Sequence, residues 1–167
     1  MIILDTNVLS ELMRPKPSSR VVAWVAKQPA TELFTTSITE AEIFYGIELL
    51  TKGKRREGLL AAAEAMFAED LAGRVFGFES DAARVFSKIA ANRRALGRPI
   101  SHADAQIAAI AQVRWAKLAT RNVADFEDCG LDVVDPWNGS WSHLRAGSGL
   151  KRAGPLATLA SGKQARS

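Results

Sequence analysis

The chain has one cysteine, Cys129, in 167 residues, so it cannot close a disulfide on itself. Its two histidines, His102 and His143, lack the Cys/His spacing of a zinc site. No apolar run approaches the roughly 20 residues that a membrane-spanning helix needs. The opening Met-Ile-Ile-Leu-Asp has no basic segment followed by an apolar stretch, so it does not read as a secretory signal. Together these absences predict a cytoplasmic protein with no membrane association. A glycine-rich phosphate loop and a Gly-x-Ser-x-Gly elbow are also missing, and Cys129 has no evident base. P-loop, Rossmann and serine- or cysteine-nucleophile chemistries are therefore disfavoured.

Most of the chain also lacks an excess of positive charge. Residues 1–137 hold 17 basic residues against all 18 acidic ones, a net of −1, while residues 138–167 add five basic residues and no acid. The net charge of +4 thus belongs to the tail, and any case for nucleic-acid binding must rest on local groups. Lys52, Lys54, Arg55 and Arg56 form one basic cluster, and Arg93, Arg94 and Arg98 another. Such runs are more often solvated turns than binding sites. The tail residues Lys151, Arg152, Lys163 and Arg166 could add weak, salt-dependent affinity or none.

What is present is ordinary for one soluble globular domain: 47% hydrophobic and 24% charged residues. Ile2-Ile3-Leu4 reads as a buried strand ending at Asp5. Thr6 or Asn7 then caps a short helix, which Pro15 and Pro17 break. A second helix starts at Ser18 or Ser19 and closes at Pro29. Leu33 to Thr36 is strand-like, and Ser37 with Glu40 predicts a capping box opening a helix to Leu50. After a basic turn come helices over about 57–71, from 80 or 81 to about 97, and from Ser101 to about 115. Short strands are expected at 75–78, 117–120 and 131–134. Alternating strands and helices predict an α/β fold, a three-layer α/β/α sandwich around a central parallel sheet. Residues 1–137 make the domain. Residues 138–167, rich in Gly, Ser and Ala, predict a disordered or weakly helical tail.

Several polar groups stand where strands end, the usual place for sites in open parallel sheets. Asp5 either caps the following helix or points into the crevice. Glu42 shares a helical face with Ile38, Tyr45 and Leu49, and a carboxylate on an apolar stripe is costly to bury without a partner. Alternatively it lies at the stripe's edge and reaches solvent. Asp104 fits a capping box with Ser101, yet aligns with Ile107, Ala108 and Ala111 on a buried face. Asn122 and Asp125 follow the 117–120 strand, as a cap pair or as crevice groups. Two carboxylates ~5 Å apart repel by about 3 kcal/mol at an effective dielectric near 20. A divalent cation converts that repulsion into coordination, and an all-oxygen set suits Mg²⁺ or Mn²⁺ better than zinc. A haloacid-dehalogenase-like phosphatase would carry a second aspartate where Asn7 stands, which disfavours a covalent aspartyl-phosphate route.

The stretch Ile3-Leu4-Asp5-Thr6-Asn7-Val8-Leu9-Ser10-Glu11 resembles the opening of PIN-domain proteins of the VapC and FitB type. Ile38-Thr39-Glu40-Ala41-Glu42-Ile43-Phe44-Tyr45-Gly46 resembles their second motif, Ala103-Asp104-Ala105-Gln106-Ile107-Ala108 their third, and Ala119 to Phe126 their fourth. Asp135-Pro136-Trp137 resembles the usual end of the domain. Each motif alone is short; four in the correct order over residues 1–137 are specific. Asn122 stands where many members carry an aspartate.

The resemblance implies a Mg²⁺- or Mn²⁺-dependent endoribonuclease that acts as the toxin of a type II toxin–antitoxin pair. Asp5, Glu42 and Asp104 would hold the metal, with Asn122 or Asp125 near a second, weaker site and Thr6 as a supporting hydrogen-bonding group. It also implies an RNA substrate, a homodimer and a small antitoxin lying in a groove walled by early helices; these carry Leu9, Leu12, Trp24, Phe44 and Ile47, residues that are more often plain core and are assigned no binding role. Because Asn122 supplies no charge, the competing expectation is a catalytically weak PIN domain that binds antitoxin or RNA.

Overall fold

In the computed structural model, which describes residues 1–143, five parallel strands and one antiparallel strand form a single twisted sheet. The chain runs β1 (Ile2–Leu4), α1 (Thr6–Leu12), α2 (Ser19–Ala26), β2 (Leu33–Thr36), α3 (Ser37–Glu48), α4 (Lys54–Ala65), β3 (Val75–Phe76), α5 (Ser80–Ala95), α6 (His102–Val113), β4 (Lys117–Ala119), β5 (Asp132–Asp135) and β6 (Ser140–His143). The strand order is β3-β2-β1-β4-β5-β6, so β1 and β4 lie side by side at the centre. This order places Asp5 next to the segment that follows β4, although more than a hundred residues separate them in sequence.

Alternation along the strands builds the two cores. Ile3, Leu118 and Val133 face one way, onto Ala82 and Ile89 of α5 and Ile107 and Ile110 of α6. Ile2, Leu4, Leu33, Ala119 and Val134 face the other, onto Val8 and Leu9 of α1, Val21 of α2, Ile43 and Ile47 of α3 and Ala63 of α4. The three-layer α/β/α reading of the sequence therefore holds. Alanine at 105, 108, 109 and 111 lets α6 lie close against both the sheet and α5, and all four are buried.

Several expectations are corrected. The cap of α3 is Thr36, not Ser37: the Thr36 hydroxyl accepts from the Thr39 amide at 3.1 Å, and Glu40 falls outside that interaction. A helix begins within the expected basic turn, at Lys54, and ends in a wider π turn over Met66–Asp70. Regular structure also runs past residue 137. Asp135-Pro136-Trp137-Asn138-Gly139 turns the chain, with the Gly139 amide donating to the Asp135 carbonyl at 2.8 Å, and β6 then pairs antiparallel with β5. Gly139 takes φ +65°, a conformation that glycine adopts without a side-chain clash. The expected tail beginning at 138 is thus partly strand, and its remainder from 144 on lies outside the described residues.

Candidate active site

Asp5 is the centre of the site and is only 4 % exposed. Its amide donates to the Ala119 carbonyl at 3.0 Å, which locks it to the end of β4. Its carbonyl starts α1 by accepting from Val8 and Leu9, but its carboxylate makes no capping bond. Instead Oδ2 accepts from the Thr120 hydroxyl and from Asn7 Nδ2, each at 2.7 Å. Of the two readings of Asp5, side-chain capping of α1 is not what the structure shows.

Thr120 and Asn7 form a closed set of bonds around that oxygen. Thr120 Oγ1 donates to Asp5 and accepts from Asn7 Nδ2 at 2.9 Å and from the Asn122 amide at 3.1 Å. Asn7 Oδ1 accepts from the Arg121 amide at 3.0 Å. The rotamer of Asp5 and the path of the loop after β4 therefore fix each other. Sequence reasoning left both residues out of the site, treating Asn7 as a helix cap and Thr120 as the end of a strand. The signal available was position, because both stand within three residues of a strand end in the motifs that carry Asp5 and Asn122.

Burial drives the Asp5 carboxyl up to about 6, outweighing the Thr120 hydroxyl and Thr6 amide, which lower it; Asp104 and Glu42 raise it further. Asp104 and Glu42 thus lie near enough to Asp5 for their charges to act on it. Glu42 is half-buried and accepts from the Thr6 hydroxyl at 2.5 Å. Asp104 is half-buried too. Ser101 caps its helix by accepting from the Asp104 amide at 3.0 Å and donates its hydroxyl to Asp104 Oδ2 at 2.6 Å. Burial again raises this carboxyl, with a contribution from Asp125. The capping and crevice readings of Asp104 therefore coexist.

The reason given for Glu42 does not survive. Its face of α3 is not buried, since Tyr45 is 66 % and Leu49 68 % exposed, and the core face is Thr39, Ile43 and Ile47. Glu42 stands at the boundary between core and solvent, where Thr6 meets it. Asn122 is exposed and is tied to the site through its amide, and its side chain makes no capping bond to the 3-10 turn Val123–Phe126. Asp125, also exposed, acts on Asp104. As they stand, the carboxylates turn to hydroxyl donors on the crevice walls, and among the described residues no three His, Cys, Asp or Glu side chains close on one point.

Three members of the basic clusters have structural partners. Arg56 pairs with Glu48, and Arg98 with Glu127 and Asp128. Arg93 is buried and donates to the Glu127 carbonyl at 2.8 Å. Leu9 and Ile47 are buried, and Leu12, Trp24 and Phe44 pack against the same core. No helix among the described residues is long and apolar enough to cross a membrane.

A parallel α/β/α domain with an acidic crevice beyond the ends of its central strands is the class defined so far. Within that class the chain belongs to the PIN domain family, whose model matches residues 2–129. It is 39% identical over 137 residues to a VapC ribonuclease of Sinorhizobium fredii, covering 82% of this chain and 98% of that one. It is 36% identical over 138 residues to toxin FitB of Neisseria gonorrhoeae, covering 83% and 99%. A solved structure of FitAB bound to a DNA fragment superposes with a TM-score of 0.77 at 36% identity, over 82% of this chain and 96% of that one.

Proposed function

We propose that this protein is a divalent-metal-dependent endoribonuclease and the toxin of a toxin–antitoxin pair. The observation that supports the reading is a buried Asp5 carboxyl at the end of the central strand, pushed to about 6 by burial and further raised by the charges of Asp104 and Glu42. Uncompensated negative charge held by neutral donors is what a cation site requires before the cation arrives. The oxygen-only donor set fits Mg²⁺ or Mn²⁺. Similarity to a VapC ribonuclease and to toxin FitB supports RNA as the substrate and a small antitoxin as the partner. A cytoplasmic homodimer completes the reading.

Asp5, Glu42 and Asp104 would hold the cation in place of their present hydroxyl partners, and Asn122 and Asp125 would be the further oxygen donors available to it. When bound, the cation lowers the pKa of a coordinated water and offsets charge on the phosphodiester. Thr120 and Asn7 fix the orientation of Asp5; Thr6 and Ser101 do the same for Glu42 and Asp104. Water adds to phosphorus and the bond to the leaving ribose oxygen breaks, which leaves one phosphate-ended fragment and one hydroxyl-ended fragment.

The test is cleavage of tRNA and structured rRNA fragments by purified, antitoxin-free protein with Mn²⁺ or EDTA. Asp5→Asn and Asp104→Asn should each lower discrete, Mn²⁺-dependent cleavage by about three orders of magnitude while remaining folded. Absence of cleavage by folded protein, with no rise in melting temperature on adding Mn²⁺, defeats the reading in favour of a PIN domain that only binds.

A further inference from the structure

An acidic crevice repels the phosphates on either side of the scissile one, so an RNA strand needs fixed positive charge at its rim. Within the clusters evident in the sequence, Arg56 and Arg98 are engaged with carboxylates and Arg93 is buried. The rim holds two other arginines. Arg121 directly follows Thr120, the residue bonded to Asp5, and its own amide is held by Asn7. Its guanidinium carbon lies 5.4 Å from the centroid of the Trp137 ring. Arg20, in the first turn of α2, donates from Nη1 to the Trp137 carbonyl at 3.4 Å.

Trp137 is a firm seat. Asp135 Oδ1 accepts from its amide at 2.8 Å, and it packs against the core beneath α1 and α2. Arg121 and Trp137 stand just past the ends of β4 and β5, and Asp5 just past β1, with β4 lying between β1 and β5. Both arginines are exposed, and among the described residues neither forms an ion pair with a carboxylate. A guanidinium held on a ring keeps its N–H edge available and loses less freedom when a phosphate binds.

We propose that Arg121, seated on Trp137, and Arg20 beside it form a cationic ledge that binds phosphates of single-stranded RNA next to the scissile one. The ledge rests on the ribonuclease reading and extends it to how the strand is held. Phosphate is favoured over a protein carboxylate because the ledge borders the crevice where a phosphodiester must lie, and two guanidinium groups flanking one indole suit consecutive charges on a strand.

The test is fluorescence anisotropy of a labelled single-stranded RNA, in EDTA to suspend cleavage, across a KCl series. The full chain is compared with Arg121→Gln, Arg20→Gln, the double variant and Arg121→Lys. Arg121→Gln should raise Kd about 10-fold and reduce the salt slope by about 0.7, the double variant by about 1.4. Arg121→Lys should keep the slope and lose part of the affinity. Urea midpoints and the Mn²⁺-induced rise in melting temperature should be those of the unaltered protein. Unchanged Kd and slope in the double variant, while the unaltered protein binds RNA, overturn the ledge. Equally fatal is a lower Mn²⁺ response in Arg121→Gln with an unchanged slope, which would make Arg121 a brace for the Thr120 loop. Weakened antitoxin binding with intact RNA binding would assign the arginines to the protein partner and overturn it too. An unaltered protein that neither binds nor cleaves RNA removes the ribonuclease reading itself, and the ledge with it.

Discussion

Asp5 and Glu11 are buried carboxylates at opposite ends of α1, 4 % and 6 % exposed. Their surroundings differ in one respect, the presence of a cation. Glu11 accepts from the Ser18 amide at 2.8 Å and pairs with Arg14 at 3.0 Å, which closes the corner around Pro15 and Pro17. Asp5 receives neutral donors and shares its crevice with Glu42 and Asp104. Equal burial thus has two outcomes. A carboxylate that finds its own cation joins two helices, whereas one that meets only neutral donors and further acids is pushed toward its neutral form.

The largest test of this contrast is pH. The Asp5 carboxyl lies at about 6 in the folded chain against an ordinary 3.8, so the folded state binds this proton more tightly. Its contribution to stability is fully present below the ordinary value and is lost as pH rises through about 6, roughly 3 kcal/mol in all. Urea titrations of metal-free protein from about pH 4 to about 7 should show that loss relative to Asp5→Asn. Parallel curves for the two proteins would break the contrast.

A smaller effect is expected at the other end of the helix. Glu11→Gln should cost about 1–2 kcal/mol in urea, since the freed Arg14 remains solvated, and should leave the Mn²⁺ response unaltered. A weakened Mn²⁺ response would mean that the corner and the crevice act as one unit. The smallest effect belongs to Thr120→Val. Removing the hydroxyl should lower Mn²⁺ affinity about 10-fold by calorimetry, with Thr120→Ser restoring it. Equal affinities for Val and wild type would show that Asn7 alone orients Asp5.

The fold was largely legible because short apolar runs are written into Ile2-Ile3-Leu4 and Leu131 to Val134, and helical periodicity into the segments between them. Asp5 and Asp104 were legible because each stands at the boundary of an element, where a polar side chain has one direction in which to go. The reason given for Glu42 failed: helical spacing says which residues share a face but not which face meets the sheet, and on α3 that choice falls to Thr39, Ile43 and Ile47. Strand β6 escaped notice because composition was averaged over the whole tail. The Asn138-Gly139 pair is a hairpin signal, and Ser140 to His143 is too short to show through that average. Thr120 and Asn7 escaped because their role is set by pairing between β1 and β4, a long-range contact that no local window contains.

The antiparallel run of β6 also decides where a tether can be attached. The register sets Ile2 opposite Lys117 and His143 opposite Asp132, so Met1 and the exit from β6 both lie at the pole away from Asp5. A resin, dye or surface linkage at either place begins behind the sheet. An immobilised molecule would therefore present its open mouth to a long strand arriving from solution.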